Sequence, residues 1–241
     1  LKTCLGAVRK ASETFELIEE GDVVAVGVSG GKDSVALFYA LTQYQAYFSP
    51  VSFELMGICV DLGHEGFDIS PIKTIAAEKA VPFHIVKTDI AEIIFDVRKE
   101  KNPCALCAKM RKGALIEEAK KHGANKIALG HHRDDVLETF LMSLIYEGRL
   151  YALKPKTYLD RQDVFQIRPF IFLDEKHILS FVKKNELPII KSGCPADGGT
   201  KRAEAKEMID QILKNNPHAR ETMSTAIMNN KSYHLWNDIK K

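Results

Sequence analysis

The chain has 241 residues, 45% of them apolar and 27% charged, with a formal net charge of +2. That balance is ordinary for a folded globular protein and excludes a polycation. No apolar run approaches the ~20 residues of a membrane span. The opening residues Leu1 to Cys4 carry no signal-peptide core. Five cysteines, an odd number, argue against a disulfide framework. The expectation is a cytoplasmic protein with no membrane partner and a reducing environment.

In chain order, a helix is predicted near Val8 to Glu20, ending at Gly21-Asp22. Strands are predicted near Val23–Val28, Phe53–Asp61, Pro82–Val86, Lys126–Gly130 and Val164–Arg168. Between them lie helical stretches near Asp33–Gln43, Ser70–Lys79, Ala105–His122 and Asp135–Glu147. Strands alternating with helices indicate an α/β fold with a doubly wound parallel sheet of about five strands. Gly123 and Gly148 stand where helix C-terminal caps belong. Asp135 and Glu138 have capping-box spacing. After about residue 173 the pattern becomes mostly helical: Asp174–Asn185, a short extended piece at Leu187–Ile190, a loop from Ser192 to Gly199, then helices near Lys201–Asn215 and Pro217–Asn229, the last with Asn216 as N-cap. The expected organisation is an N-terminal helix (1–21), an α/β domain (22–173) and a helical C-terminal extension (174–241).

The most informative segment is Ser29-Gly30-Gly31-Lys32-Asp33-Ser34, at a strand-to-helix turn. Backbone N–H groups and the helix dipole favour an anion there. The glycines allow close backbone approach, the serines offer hydroxyl donors, and Lys32 adds a charge. It is not a Walker A loop, because Gly31-Lys32 is followed by Asp33 and not by Ser or Thr. In open α/β sheets the site lies beyond the carboxyl ends of the strands. Asp61-Leu62-Gly63-His64 follows the second strand and Gly130-His131-His132-Arg133-Asp134-Asp135 the fourth, so three polar segments are expected on one edge. Asp134 or Asp135 can hold magnesium, the other serving as a helix cap. His131-His132 suits polar contacts to a nucleotide better than a metal, since no further ligands stand nearby.

The second signal is Cys104-Ala-Leu-Cys107, joined by the distant Cys194. Thiolates three residues apart at a helix start can share one metal site. Cys59 lies in an apolar strand and reads as core; Cys4 reads as incidental. By spacing alone, a [4Fe–4S] cluster held by three cysteines and a zinc site stand level. Arg111, one turn after Cys107, can face an adenylate or RNA, or form a surface ion pair. Clusters of basic residues at 109–112, 154–168 and 201–206 suit a polyanion or a solvated face equally.

The segment Ser29–Ser34 resembles the PP-loop of the ATP pyrophosphatase superfamily, which implies cleavage of ATP between its α and β phosphates. With Cys104-x-x-Cys107, Gly130 to Asp135 followed by Glu138-Thr139, and Cys194 in that order, the chain resembles the tRNA 2-thiocytidine synthetase family from Glu19 to its tail, including Arg220 to Met223 and His234-Leu235. That resemblance implies an adenine nucleotide alpha-hydrolase-like fold and an ATP-dependent tRNA sulfurtransferase that adenylates a pyrimidine carbonyl oxygen and replaces it with sulfur. It implies 2-thiolation of an anticodon-loop cytidine and a [4Fe–4S] cluster on Cys104, Cys107 and Cys194. ATP would be held by Ser29, Gly30, Gly31, Lys32, Asp33, Ser34, Asp61, Gly130 and His131, with Mg2+ on Asp135. Catalytic roles fall to Lys32, Asp33, Asp135 and Arg111. The implied partners are tRNA, a sulfur donor (sulfide or a cysteine desulfurase) and a second copy of the chain. One departure is visible: many members have a second Cys-x-x-Cys, where this chain has Lys191-Ser192-Gly193-Cys194. The competing readings are a PP-loop ligase or amidotransferase with a structural zinc, and a non-catalytic nucleotide- or redox-sensing RNA-binding module.

Overall fold

The structure, a computed structural model, describes residues 2–100, 103–190, 193–195 and 201–229. The Ser192–Gly199 loop falls largely, and His234-Leu235 wholly, outside them. The elements run α1 (Lys2–Phe15), β1 (Val23–Gly27), α2 (Lys32–Tyr47), β2 (Glu54–Asp61), α3 (Ser70–Glu78), β3 (Phe83–Lys87) and α4 (Ile90–Glu92) with a π-helical turn at Ile93–Val97. They continue with α5 (Pro103–Lys121), β4 (Lys126–Ala128), α6 (Arg133–Tyr146), β5 (Lys156–Leu159), β6 (Val164–Ile167), α7 (Glu175–Lys184), α8 (Lys201–Asn215) and α9 (Ala219–Met228). The chain forms two compact units, residues 1–132 with 154–197, and residues 133–153 with 198–241.

The first unit is a six-stranded α/β sheet in the order β3-β2-β1-β4-β6-β5. All pairings are parallel except β5 with β6. The central strands are continuous apolar runs because both faces are covered. On β2, Met56, Ile58 and Val60 join the core with Leu115, Ile116 and Ala119 of α5. On the other face, a Cβ on Gly57 would lie 2.9 Å from the Phe38 ring of α2. Successive residues of a strand point to opposite faces, so α5 and α2 cover opposite sides. Helix α2 is itself buried by α1 and α7. The apolar stripe of α1 (Cys4, Leu5, Val8, Ala11, Ser12) has helical spacing and is buried.

Several expectations need correction. A sixth strand, β5, was not foreseen. Helix α1 starts earlier and ends at Phe15, because Glu16 takes a left-handed φ of 50°. Helix α6 starts at Arg133, so Asp135 lies inside its first turn and is not a cap. Asn216 is not the N-cap of α9, which is His218; the Asn216 side chain accepts the His218 N–H at 3.2 Å. The boundary expected at residue 173 falls inside the first unit, where α7 packs on α1 and α2. Gly123 and Gly148 do follow α5 and α6 with φ of 77° and 62°.

A buried ionic knot anchors the start of β1 to β4. Lys126, 1% exposed, donates to Asp22 and Glu19, both at 2.6 Å. The other Asp22 oxygen accepts from Asn125 Nδ2 at 2.8 Å. Asp22→Ala leaves Asn125 Nδ2 and the Glu19 N–H without their acceptor and Lys126 with Glu19 alone, and stranding such donors costs about 1–3 kcal/mol. Chemical denaturation is expected to show that loss as a lower midpoint at unchanged slope.

In the second unit, Leu137 and Leu141 of α6 pack on Ala205 and Ile209 of α8, flanked by Met223 and Ile227 of α9. Tyr146 donates to Glu204 at 2.7 Å. Ser143 Oγ closes the turn after α6, accepting from Tyr151 N and donating to Tyr151 O.

Candidate active site

The sheet order reverses direction at β1, whose neighbours are β2 and β4. Loops leaving β1 and β4 therefore part, and the gap between them is where open α/β sheets bind ligands. Residues 28–31 occupy that gap. Gly30 adopts φ 85°, and a Cβ there would come 2.9 Å from Ile190 Cβ. Ile190 N–H donates to Gly30 O at 2.9 Å, so the segment before Cys194 backs the loop. The serines brace the turn: Ser34 Oγ accepts from Ser29 N at 3.1 Å and donates to Gly31 O at 2.9 Å. Gly31 precedes α2 with no side-chain cap, which leaves the helix N-terminus to an anion. Gly130 lets the β4 loop close on α2; a Cβ there would lie 2.8 Å from the Asp33 carbonyl.

Lys32 Nζ sits 2.8 Å from Asp33 Oδ2 and 3.0 Å from Glu175 Oε1 of α7. Burial works to lower its pKa, but the two carboxylates outweigh it and hold the ammonium above its ordinary value. His132 Nε2, on a ring 4% exposed, stands 3.6 Å from Asp33 Oδ1.

A cleft of about 560 Å³ opens beside this loop. Ser29 and Gly31 line one side; Arg111 of α5, Gly193 and Cys194 line another. Val60, Leu62, His64 and Phe67 form the wall after β2. Among the cysteines, Cys104 is exposed and Cys107 and Cys194 are half-buried, all as free thiols. Burial raises the Cys107 pKa; Arg111 opposes that, and the charges of Cys194 and Cys104 add to it. Cys107 is thus near enough to Cys104 and to Cys194 to feel the charge of each. Cys4 and Cys59 stand apart in the core, pushed by burial to about 11 and about 12. Cys194 lines the cleft beside Arg111 and Cys107 lies one helical turn before that arginine, so two segments offer three thiols, the number that a cluster with three thiolate ligands needs.

The expected residues divide accordingly. Ser29, Gly31, Arg111 and Cys194 share the cleft, with Lys32, Asp33, Ser34, Gly30 and Gly130 directly behind it. The Asp61 carboxylate accepts the Gly63 N–H at 2.9 Å and shapes the turn between Val60 and His64. Asp135, expected to hold magnesium, belongs to the second unit and is bound by Arg202 at 2.9 Å, which also reaches Glu138 at 3.1 Å. Asp134 pairs with Arg220. In this structure Asp135 therefore serves an ion pair. His64 lies in the Asp61–His64 segment expected on this edge, whereas Glu175, Ile190 and Phe67 are not marked as site residues by the sequence. No local pattern marks Glu175 or Ile190, which reach the loop from the far end of the chain.

A family model described as a PP-loop domain matches residues 6–203. The chain is 36% identical over 231 residues to the tRNA-cytidine(32) 2-sulfurtransferase of Citrifermentans bemidjiense, covering 95% of this chain and 90% of that one. It is 39% identical over 230 residues to the enzyme of the same name from Nitrosomonas eutropha, covering 95% of this chain and 73% of that one. Among solved structures it resembles the U34-tRNA thiolase NcsA from Methanococcus maripaludis, solved with its [4Fe–4S] cluster, at a TM-score of 0.76 and 26% identity. That likeness covers 94% of this chain and 78% of the thiolase.

Proposed function

Because this chain belongs to the PP-loop family of tRNA-cytidine(32) 2-sulfurtransferases, and is thus an ATP-dependent tRNA thiolation enzyme, we propose that it exchanges O2 of cytidine 32 for sulfur by adenylation. The observation that carries the reading is the single cleft lined by the phosphate loop, Arg111 and Cys194.

The base oxygen attacks the α-phosphorus of ATP and pyrophosphate leaves. The oxygen is then the bridging atom of an adenylate, a good leaving group. A sulfur nucleophile adds to C2, and AMP departs with the former base oxygen. Backbone N–H groups of the loop and the Ser29 hydroxyl hold the phosphates, while Ser34 Oγ, donating to Gly31 O, holds the turn in shape. Lys32 offsets the charge that builds on them as the α–β bond breaks. Asp33 fixes Lys32 by the 2.8 Å contact. Arg111 faces the adenylate or the RNA from α5.

Cys104, Cys107 and Cys194 would hold the [4Fe–4S] cluster that the thiolase neighbour is named for. When bound, the cluster supplies an iron able to carry the sulfur to be transferred. The base enters splayed out of a single-stranded loop, as RNA recognition favours, and the apolar wall of Leu62 and Phe67 suits its faces.

The test is the anaerobically purified protein with ATP, sulfide and tRNA carrying cytidine 32, followed by nucleoside mass spectrometry. The expected product is 2-thiocytidine, with AMP and pyrophosphate in equal amounts. Thiolated uridine would reassign the base; ADP in place of AMP would overturn the chemistry.

A further inference from the structure

The C-terminal half of α5 carries a constellation that thiolation does not use. His84 of β3, Glu118 of α5 and His122, the first residue after α5, each offer one ligand atom, and these atoms all lie within 4.8 Å of one another. Glu118 and His122 are one helical turn apart and share a face. His122 Nε2 lies 3.3 Å from Glu118 Oε1. The His84 and His122 rings are stacked, centroids 3.7 Å apart and planes at 23°. Lys121 approaches the other Glu118 oxygen at 3.4 Å, leaving Oε1 to the histidines.

Two features separate this group from an ordinary surface ion pair. It joins two elements distant in sequence, with His84 held half-buried on an edge strand. And it sets two imidazoles, 3.7 Å apart between ring centroids, against one carboxylate, which is a donor set and not a simple charge pair.

We propose that His84, Glu118 and His122 form a binding site for a divalent transition-metal ion of the zinc class. Two imidazoles and one carboxylate are a recognised zinc donor set, with water in the fourth position. Imidazole selects zinc, copper or nickel over magnesium or calcium. The two rings lie stacked in the empty site, so binding the ion requires them to rotate about their side-chain torsions until both in-plane lone pairs face it. The bound ion pins the end of α5 to β3. The site is separate from the cysteines: Cys107 is 11 residues before Glu118 on the same helix, about 16 Å along its axis.

Zinc is titrated into the purified protein and into His84→Asn and His122→Asn, with bound metal counted after equilibrium dialysis. Metal on the cysteines is common to all three and cancels. The wild type is expected to bind one more equivalent than either variant. It should also gain about 5–10 °C in Tm at a hundredfold excess over Kd beyond any shift that the variants share with it, with magnesium without effect. Equal zinc content in all three proteins overturns the proposal, as does a magnesium shift matching that of zinc. His122 is exposed, so its variant keeps the test valid if His84→Asn folds poorly.

Discussion

Cys194→Ala is expected to abolish 2-thiocytidine formation while leaving ATP binding within about twofold of the wild type. The reason is geometric. Cys194 lines the same cleft as Ser29 and Gly31, while the turn of the phosphate loop is braced by Ser29, Gly31, Ser34 and the backbone of Ile190. If Cys104, Cys107 and Cys194 are the cluster ligands as proposed, losing one removes the cluster site, for no other described cysteine can replace it. Cys4 and Cys59 are 2% and 0% exposed, and burial pushes their thiols to about 11 and about 12. Cys4→Ala and Cys59→Ala therefore serve as controls. Each costs some stability through lost packing and retains thiolation and iron. Parallel nucleoside mass spectrometry, iron analysis and nucleotide titration on the three variants check this. Loss of thiolation in all three, or in none, would contradict the assignment.

Lys32→Ala is expected to lower kcat for thiolation by roughly 100- to 1,000-fold, the range for removing a preorganised electrostatic contact to a transition state. Two further consequences follow from its surroundings. Lys32 bridges Asp33 and Glu175 at 2.8 and 3.0 Å. Without it, two carboxylates face the incoming triphosphate, so the KM for ATP rises as well. Lys32→Arg restores the charge but not the activity, because a planar fork does not replace a compact ammonium between two carboxylates. Iron content stays at the wild-type level in both variants, since the cysteines lie on other elements. Steady-state kinetics with iron analysis distinguishes this loss from that of Cys194→Ala.

Lys32 is marked by local pattern, as is the Cys104-x-x-Cys107 pair, whereas Cys194 joins that pair only through the order of motifs along the chain. Ser29 to Ser34 and Cys104-x-x-Cys107 are short, and the turn or helix start that gives them meaning is built by their immediate neighbours. The same holds for β1 and β2, whose unbroken apolar runs follow from burial on both faces. What was not legible is what arrives from afar. Strand β5 was missed because Lys156-Thr157-Tyr158-Leu159 is a half-exposed edge that shows little apolar signal and is defined by pairing with β6. Glu175 and Ile190 reach the loop from more than 140 residues away, and nothing in their flanks announces it. Asp135 shows the converse. Its position before a hydrophobic run imitates a cap, but the helix begins two residues earlier and Arg202 of α8 takes its carboxylate. The division into units was hidden for a related reason: α6 follows β4 directly in sequence, yet its core partners Ala205 and Ile209 come from α8.

The central claim is that the base oxygen leaves on AMP. It is tested most directly by a tRNA whose cytidine 32 carries oxygen-18 at O2, turned over with ATP and sulfide under anaerobic conditions, with the AMP analysed by mass spectrometry. The account predicts one oxygen-18 in the AMP phosphate for each thiocytidine formed. Unlabelled AMP, with the label released to water, would contradict it.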